Sequence, residues 1–228
     1  MLNELKNKRN YRLTFGLIFT YLVLGVVAFF FADYIPLVRA YLWNIFLALL
    51  PLVFALIIDF LHDHKAPIFI TLIIGLAWLF VFPNSPYMIT DLAHLNLYRV
   101  SYGLNISTFH SAWFGVLFAT FSIITGVLMG MLSLYIVDEI IRKRFNTPLA
   151  WLFSVIVSGL AGFGIFLGRF PRFNSWDILR RPRFLLSNIL RQLNEHTLGF
   201  VILFATMTLA LYWLFYLIFN DGRKTDKI

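Results

Sequence analysis

The sequence contains no cysteine and little charge. Of its 228 residues none is Cys, and only 13% are Asp, Glu, Lys or Arg. The lack of cysteine excludes disulfides, thiolate-bound zinc, iron–sulfur clusters and a cysteine nucleophile. The scarcity of charge excludes an ordinary soluble domain, in which about a quarter of the residues are charged. Instead, 60% of the residues are hydrophobic, 26 of them are Phe, and the mean hydropathy is +0.80. We therefore expect lipid to be the solvent for most of this protein.

Six apolar runs are long enough to cross a bilayer. A hydrocarbon core of about 30 Å requires about 20 mostly apolar residues per helix. Such runs occupy residues 13–32, 40–61, 66–83, 111–137, 149–168 and 197–219. Only one charged residue, Asp59, lies inside any of them. The runs are continuous and do not alternate with polar residues, which argues against a membrane β-barrel. With no internal repeat or linker, the sequence predicts an all-α polytopic bundle that forms one domain over residues 1–228.

The distribution of basic residues predicts the orientation of the chain. Lys and Arg are enriched in cytoplasmic loops, and placing both termini in the cytoplasm puts 11 of the 19 Lys and Arg residues inside. The long loops 84–110 and 169–196 then lie outside. The second of them breaks the rule, because it carries six Arg and no Lys. We explain the net charge of +8 by membrane orientation and anionic headgroups, and expect no nucleic-acid partner.

The segment 82–95 combines helix breakers with groups that can do chemistry. Ser85 and Pro86 suit the N-cap and first position of a short second helix. On an α-helix, Tyr87, Asp91 and His94 would share one stripe, next to an apolar stripe of Met88, Leu92 and Leu95. The carboxylate and imidazole suit acid–base work, or together could hold a metal. The alternative is that Asp91 pairs with an arginine and Tyr87 anchors at the headgroups.

A second polar segment follows the fifth apolar run. Arg169 and Arg172 lie where hydrocarbon gives way to headgroups, and ionisable groups there are usually paired or functional. They can form an ion pair with Asp91 or Asp177 or remain free to bind an anion, and both can hold because the outer arginines outnumber the outer carboxylates. The predicted topology brings this segment to the membrane face where the second helix begins and the third ends. The predicted pocket therefore also includes Asn44, Asn84, Tyr87, Asn174 and Asp177.

Three further features have simpler interpretations. The apolar spacing over residues 183–194 is typical of an interfacial helix that anchors to anionic lipid. Gly126 and Gly130 have the spacing that permits close helix packing. Asp59, His62, Asp63 and His64 are better explained as a solvated loop than as a metal site. We therefore predict no metal and no cofactor.

Three motifs carry a resemblance to a known family. They are WNIFLA at 43–48, FPNSPYMITDLAHL at 82–95 and GRFPRFNSWD at 168–177. In these segments the chain resembles the domain of unknown function 1361 family of bacterial membrane proteins, over roughly residues 40–180. The resemblance implies a bacterial plasma membrane location and supplies no activity.

The residues support three functions. The first is an outward-facing site that binds an anionic lipid or phosphate-bearing headgroup, with Arg169 and Arg172 as the clamp, because arginine forks suit phosphate oxygens. Catalysis at that site is left open; in that case Asp91 and His94 would supply acid and base for phosphoryl or glycosyl transfer, or for hydrolysis. The second function is a non-catalytic subunit or scaffold of a membrane complex. The third is a transporter, which the scarcity of midplane charge and of repeated halves disfavours.

Overall fold

The computed structural model describes residues 2–34, 37–98, 106–170 and 194–225. These residues form seven α-helices and two 3-10 helices, and they contain no β-strand. The α-helices are α1 (Leu2–Phe31), α2 (Val38–Asp63), α3 (Ile68–Val81), α4 (Asn84–Tyr87), α5 (Ile106–Arg144), α6 (Thr147–Arg169) and α7 (Glu195–Thr225). The 3-10 helices are Ala32–Tyr34 and Met88–Tyr98.

Six helical segments are long and apolar enough to cross a membrane, as predicted. They are Arg9–Phe31, Val38–Asp63, Ile68–Leu95, Ala112–Arg144, Thr147–Arg169 and Glu195–Asn220. The predicted fourth span was too short, because α5 continues past residue 137 to Arg144. The spans of the structure therefore contain more charged residues than the six predicted runs, which hold Asp59 alone. Asp138 and Glu139 also lie within a span, and both are buried.

Helix α5 is the centre of the bundle, and most of its side chains between residues 118 and 139 are buried. The outer helices α1, α3 and α7 instead expose large apolar side chains. Phe29 is 81% exposed, Phe69 is 69% exposed and Ile218 is 77% exposed. Apolar surface of this extent is incompatible with water. The chain is a multi-pass membrane protein whose peripheral helices face lipid.

The two ends of the bundle are defined by contacts between distant helices. At one end, the ring of Phe31 at the end of α1 lies 5.2 Å from the ring of Phe114 in α5. At the opposite end, Nη1 of Arg9 in α1 donates to the carbonyl of Phe219 in α7 at 2.7 Å. We call the first the Asp91 end and the second the Asp138 end. The start of α1 and the end of α7, the first and last helices of the chain, therefore lie together at the Asp138 end.

Two asparagine side chains cap the N-terminal ends of α6 and α7. Oδ1 of Asn146 accepts from the amide of Leu149 at 2.8 Å and caps α6. Oδ1 of Asn194 accepts from the amide of Thr197 at 3.0 Å at the start of α7. Such caps satisfy one of the free amides of the first turn, which has no partner within the helix.

A buried hydrogen-bond relay ties three spans together. Nε1 of Trp78 in α3 donates to Oγ of Ser133 in α5 at 2.6 Å. The same hydroxyl donates to the carbonyl of Pro51 in α2 at 2.9 Å. Polar side chains hold helices together inside a membrane because no water competes for them. The relay fixes α2 and α3 against the central helix.

Candidate functional site

The Asp91 end brings together three of the predicted site residues. Nδ2 of Asn44, in the second turn of α2, donates to Oδ2 of Asp91 at 2.8 Å. Oδ1 of Asp91 lies 3.6 Å from Nδ1 of His94. The Asp91 side chain is only 3% exposed, whereas that of His94 is 33% exposed. A buried carboxylate therefore faces an imidazole that remains accessible.

The local helix type explains why Asp91 and His94 meet. The segment Met88–Tyr98 is a 3-10 helix, with three residues per turn, so side chains three positions apart are eclipsed. Tyr87 lies before this 3-10 helix, as the last residue of α4, so the single α-helical stripe predicted for Tyr87, Asp91 and His94 does not form. The predicted apolar stripe is also wrong, since Met88 is fully buried while Leu92 is 47% exposed.

Arg169 lies close to this cluster and forms no direct ion pair with any carboxylate of the described ranges. It is the last residue of α6 and is half-buried, and its positive charge acts on Asp91. No carboxylate among the described residues lies within 4 Å of its guanidinium. Asp91 takes its direct hydrogen bond from a neutral amide instead. Among the described residues, no carboxylate therefore occupies the donors of Arg169 at the rim of the site.

The prediction that Ser85 caps the short helix is wrong. Helix α4 begins at Asn84, two residues before the predicted first position at Pro86, and no side chain caps it. Ser85 is fully buried, and its hydroxyl donates to the carbonyl of Ala48 in α2 at 3.0 Å. Inside the bundle a hydroxyl bonds to the nearest available carbonyl, since leaving it unpaired is costly. Ser85 consequently anchors the segment to α2.

Glycines on α5 and α6 allow the segment from Pro83 to Met88 to pack closely between these two helices. A Cβ atom at Gly126 of α5 would lie 2.7 Å from Cγ of Met88, and one at Gly130 would overlap the side chain of Ser85. The sequence predicted close packing at this pair, and the structure identifies the residues packed against it. On α6, a Cβ at Gly164 would lie 2.6 Å from Cγ of Pro83.

The other two predicted residues in this segment occupy different places. The ring of Tyr87 packs on α6, where a Cβ at Gly168 would lie 3.1 Å from Cε2 of Tyr87. Asn84 is half-buried at the start of α4, and its side chain has no hydrogen bond to any residue in the described ranges. Tyr87 thus borders the site from the α6 side.

Several predictions lie outside the described residues. They concern Arg172, Asn174, Asp177 and residues 183–193 of the predicted interfacial helix, whose last residue, Asn194, is described and caps α7. Their roles stay predictions.

A polar cluster at the opposite end was missed by the sequence analysis. Asp138 is fully buried and accepts from Arg142, through Nη2 at 2.7 Å and Nε at 3.2 Å. Oγ of Ser154 donates to its other oxygen at 3.0 Å. The hydroxyl of Tyr212 also lies close to Asp138. The available signal was an Asp and an Arg four residues apart, directly after an apolar run, which is the spacing of a helical ion pair.

The acidic and imidazole cluster is mostly exposed, as expected, but it is not a loop: Asp59, His62 and Asp63 lie in the last turns of α2, and His64 directly follows the helix. Nδ1 of His62 lies 3.6 Å from Oδ1 of Asp63, and both side chains are open to the surroundings. Asp59 alone of this cluster is buried. In the described parts of the chain, no three His, Asp or Glu side chains gather closely enough to hold a metal ion.

The fold and its polar ends define the class of protein: a multi-pass α-helical membrane protein with a hydrogen-bonded carboxylate site at one end. Residues 43–211 match the family described as "Protein of unknown function (DUF1361)". The match covers well over half of the chain, so the chain belongs to this family, which confirms the resemblance in its motifs. The matched range includes Asn44, Asp91, His94 and Arg169. Comparison with curated proteins and with solved structures finds no match.

Proposed function

We propose that the Asp91 end binds the phosphate-bearing headgroup of an anionic lipid at the outer face of a bacterial plasma membrane. The observation that carries the proposal is Arg169, which lies near Asp91 and has no carboxylate within 4 Å among the described residues. An arginine at the end of a membrane span suits a phosphate, because its fork donates two parallel hydrogen bonds.

The surroundings of Arg169 favour a lipid over a soluble anion. The residue ends α6, a helix apolar enough to span a membrane, so the guanidinium lies at the level where headgroups begin. Asp91 accepts a hydrogen bond from Asn44 and forms no direct ion pair with Arg169. In this proposal Asn84 and Tyr87 orient the headgroup. Arg172, Asn174 and Asp177 complete the pocket.

The proposal is tested by lipid retention. The protein is purified into nanodiscs of mixed phosphatidylglycerol and phosphatidylcholine, and native mass spectrometry measures the bound phosphatidylglycerol. We expect Arg169→Gln to lower the affinity for phosphatidylglycerol about tenfold, which corresponds to about 1.4 kcal/mol. Arg169→Lys should recover only part of that loss, because it keeps the charge but not the fork.

Arg39 provides a matched control. It is an exposed arginine at the same end, in the first turn of α2, so Arg39→Gln removes the same charge without touching the site. We expect Arg39→Gln to retain lipid as the unmodified protein does. Equal retention by Arg169→Gln, in a variant whose thermal stability is unchanged, would refute the anion site and favour the scaffold function.

A catalytic form of the same proposal is favoured by the arrangement of Asp91 and His94. Asp91 faces Nδ1 of His94 at 3.6 Å, which leaves Nε2 as the nitrogen available to exchange a proton with a substrate. A buried carboxylate that orients an accessible imidazole suits general acid–base catalysis. In the same nanodiscs, where water is the only acceptor, the unmodified protein should then hydrolyse a phosphate ester of the added phosphatidylglycerol, with His94 supplying the proton to the leaving oxygen. Hydrolysis should stop in His94→Gln, with lipid retention kept.

A further inference from the structure

We propose that Gly164 and Gly168 are positioning residues that set the separation between Asp91 and Arg169. The inference rests on the proposed function, because it treats this carboxylate and this guanidinium as two sides of one site. Both glycines lie on α6, four residues apart and therefore on one face of the helix. That face contacts the segment that leads into the 3-10 helix of Asp91.

The contact between α6 and this segment leaves no room for a side chain. A Cβ at Gly164 would lie 2.6 Å from Cγ and 2.7 Å from Cβ of Pro83. Carbon atoms in ordinary contact are about 3.5–4.0 Å apart. The pyrrolidine ring of Pro83 is closed onto the backbone and cannot rotate away. A methyl group at Gly164 must therefore move either the backbone of the segment or α6 itself.

The position of each glycine links this contact to the site. Gly168 directly precedes Arg169, and its partner Tyr87 lies four residues before Asp91. The ring of Tyr87 thus bridges the end of α6 and the start of the segment that carries the carboxylate. Any widening between α6 and this segment separates Asp91 from Arg169.

The opposite side of the segment is held equally tightly. Met88 and Ser85 pack on Gly126 and Gly130 of α5, and the Ser85 hydroxyl is bonded to α2. The segment therefore has no free space on the α5 side into which it could retreat. A side chain added on the α6 side must widen the gap at α6.

The test measures the separation directly. Because the chain has no cysteine, spin labels can be placed at Leu92→Cys and Phe170→Cys. Both positions are exposed, and each directly follows one of the two site residues. Electron paramagnetic resonance then reports the distance between labels in Gly164→Ala and Gly164→Leu. The control is Gly159→Ala with Gly159→Leu, on the same helix, where an added Cβ meets nothing within 4 Å.

We expect the label separation to increase by about 1 Å in Gly164→Ala, the difference between 2.6 Å and an ordinary contact. It should increase further in Gly164→Leu and stay unchanged in both Gly159 variants. Retention of phosphatidylglycerol should fall in the Gly164 variants alone. A folded Gly164→Ala protein with an unchanged separation would overturn the inference, even if its thermal stability dropped, because the glycine would then serve packing only. A longer separation with unchanged lipid retention would support the positioning role and count against the proposed function.

Discussion

Removing Arg142 should destabilise the protein far more than removing Arg169. Asp138 is fully buried and accepts two hydrogen bonds from Arg142, at 2.7 and 3.2 Å. In Arg142→Met the carboxylate would keep the bond from Ser154 at 3.0 Å and lose its charged partner. Breaking a buried pair from one side costs about 3–5 kcal/mol. The ratio of folded to unfolded protein should then fall by about two to three and a half orders of magnitude.

Two comparisons separate loss of the pair from loss of an arginine. Arg169→Met removes a half-buried arginine without a direct ion pair among the described residues, and should cost less than about 1 kcal/mol. The double variant Asp138→Leu with Arg142→Met removes both charges. It should recover most of the loss, because replacing a buried pair by apolar groups is often neutral.

The assay is reversible unfolding in mixed micelles of mild detergent and dodecyl sulfate, followed by helical circular dichroism. Helical circular dichroism is preferred to tryptophan fluorescence because Trp151 lies beside Arg142, so its emission would change with the substitution itself. If Arg142→Met costs no more than Arg169→Met, or if the double variant is as unstable as Arg142→Met alone, the reasoning about the Asp138 pair is wrong.

Two further predictions concern the relay and the topology. Trp78→Phe should cost about 1 kcal/mol by the same unfolding assay, because it removes the bond to the Ser133 hydroxyl at 2.6 Å. In Ser133→Ala, a second change at Trp78 should cost less than it does alone, and fully additive costs would contradict the relay. Single cysteines at Asn105 and Ser187 should react with an impermeant maleimide in intact cells. Labelling only after permeabilisation would overturn the predicted orientation.

The helical membrane architecture was predictable from local sequence. Inside a bilayer every backbone group must be bonded within the segment, so a continuous apolar run of sufficient length is enough to predict a helix. The end of a span was less predictable. Asp138 follows an apolar run directly, and whether a charged residue continues the buried helix depends on Arg142, Ser154 and Tyr212, two of which come from other helices.

The candidate site was predictable in its members more than in its contacts. The sequence alone determined that Asn44, Asp91, His94 and Arg169 would be polar groups near one end of the bundle, because each lies at or near the end of an apolar run. Only the tertiary structure decided that Asn44, 47 residues away in the chain, bonds to Asp91. It also decided that the segment from Pro83 to Met88, which precedes Asp91, packs against glycines of α5 and α6. Both contacts depend on how closely α2, α5 and α6 approach one another. That approach is set by the shapes of side chains from distant segments, which local sequence does not reveal.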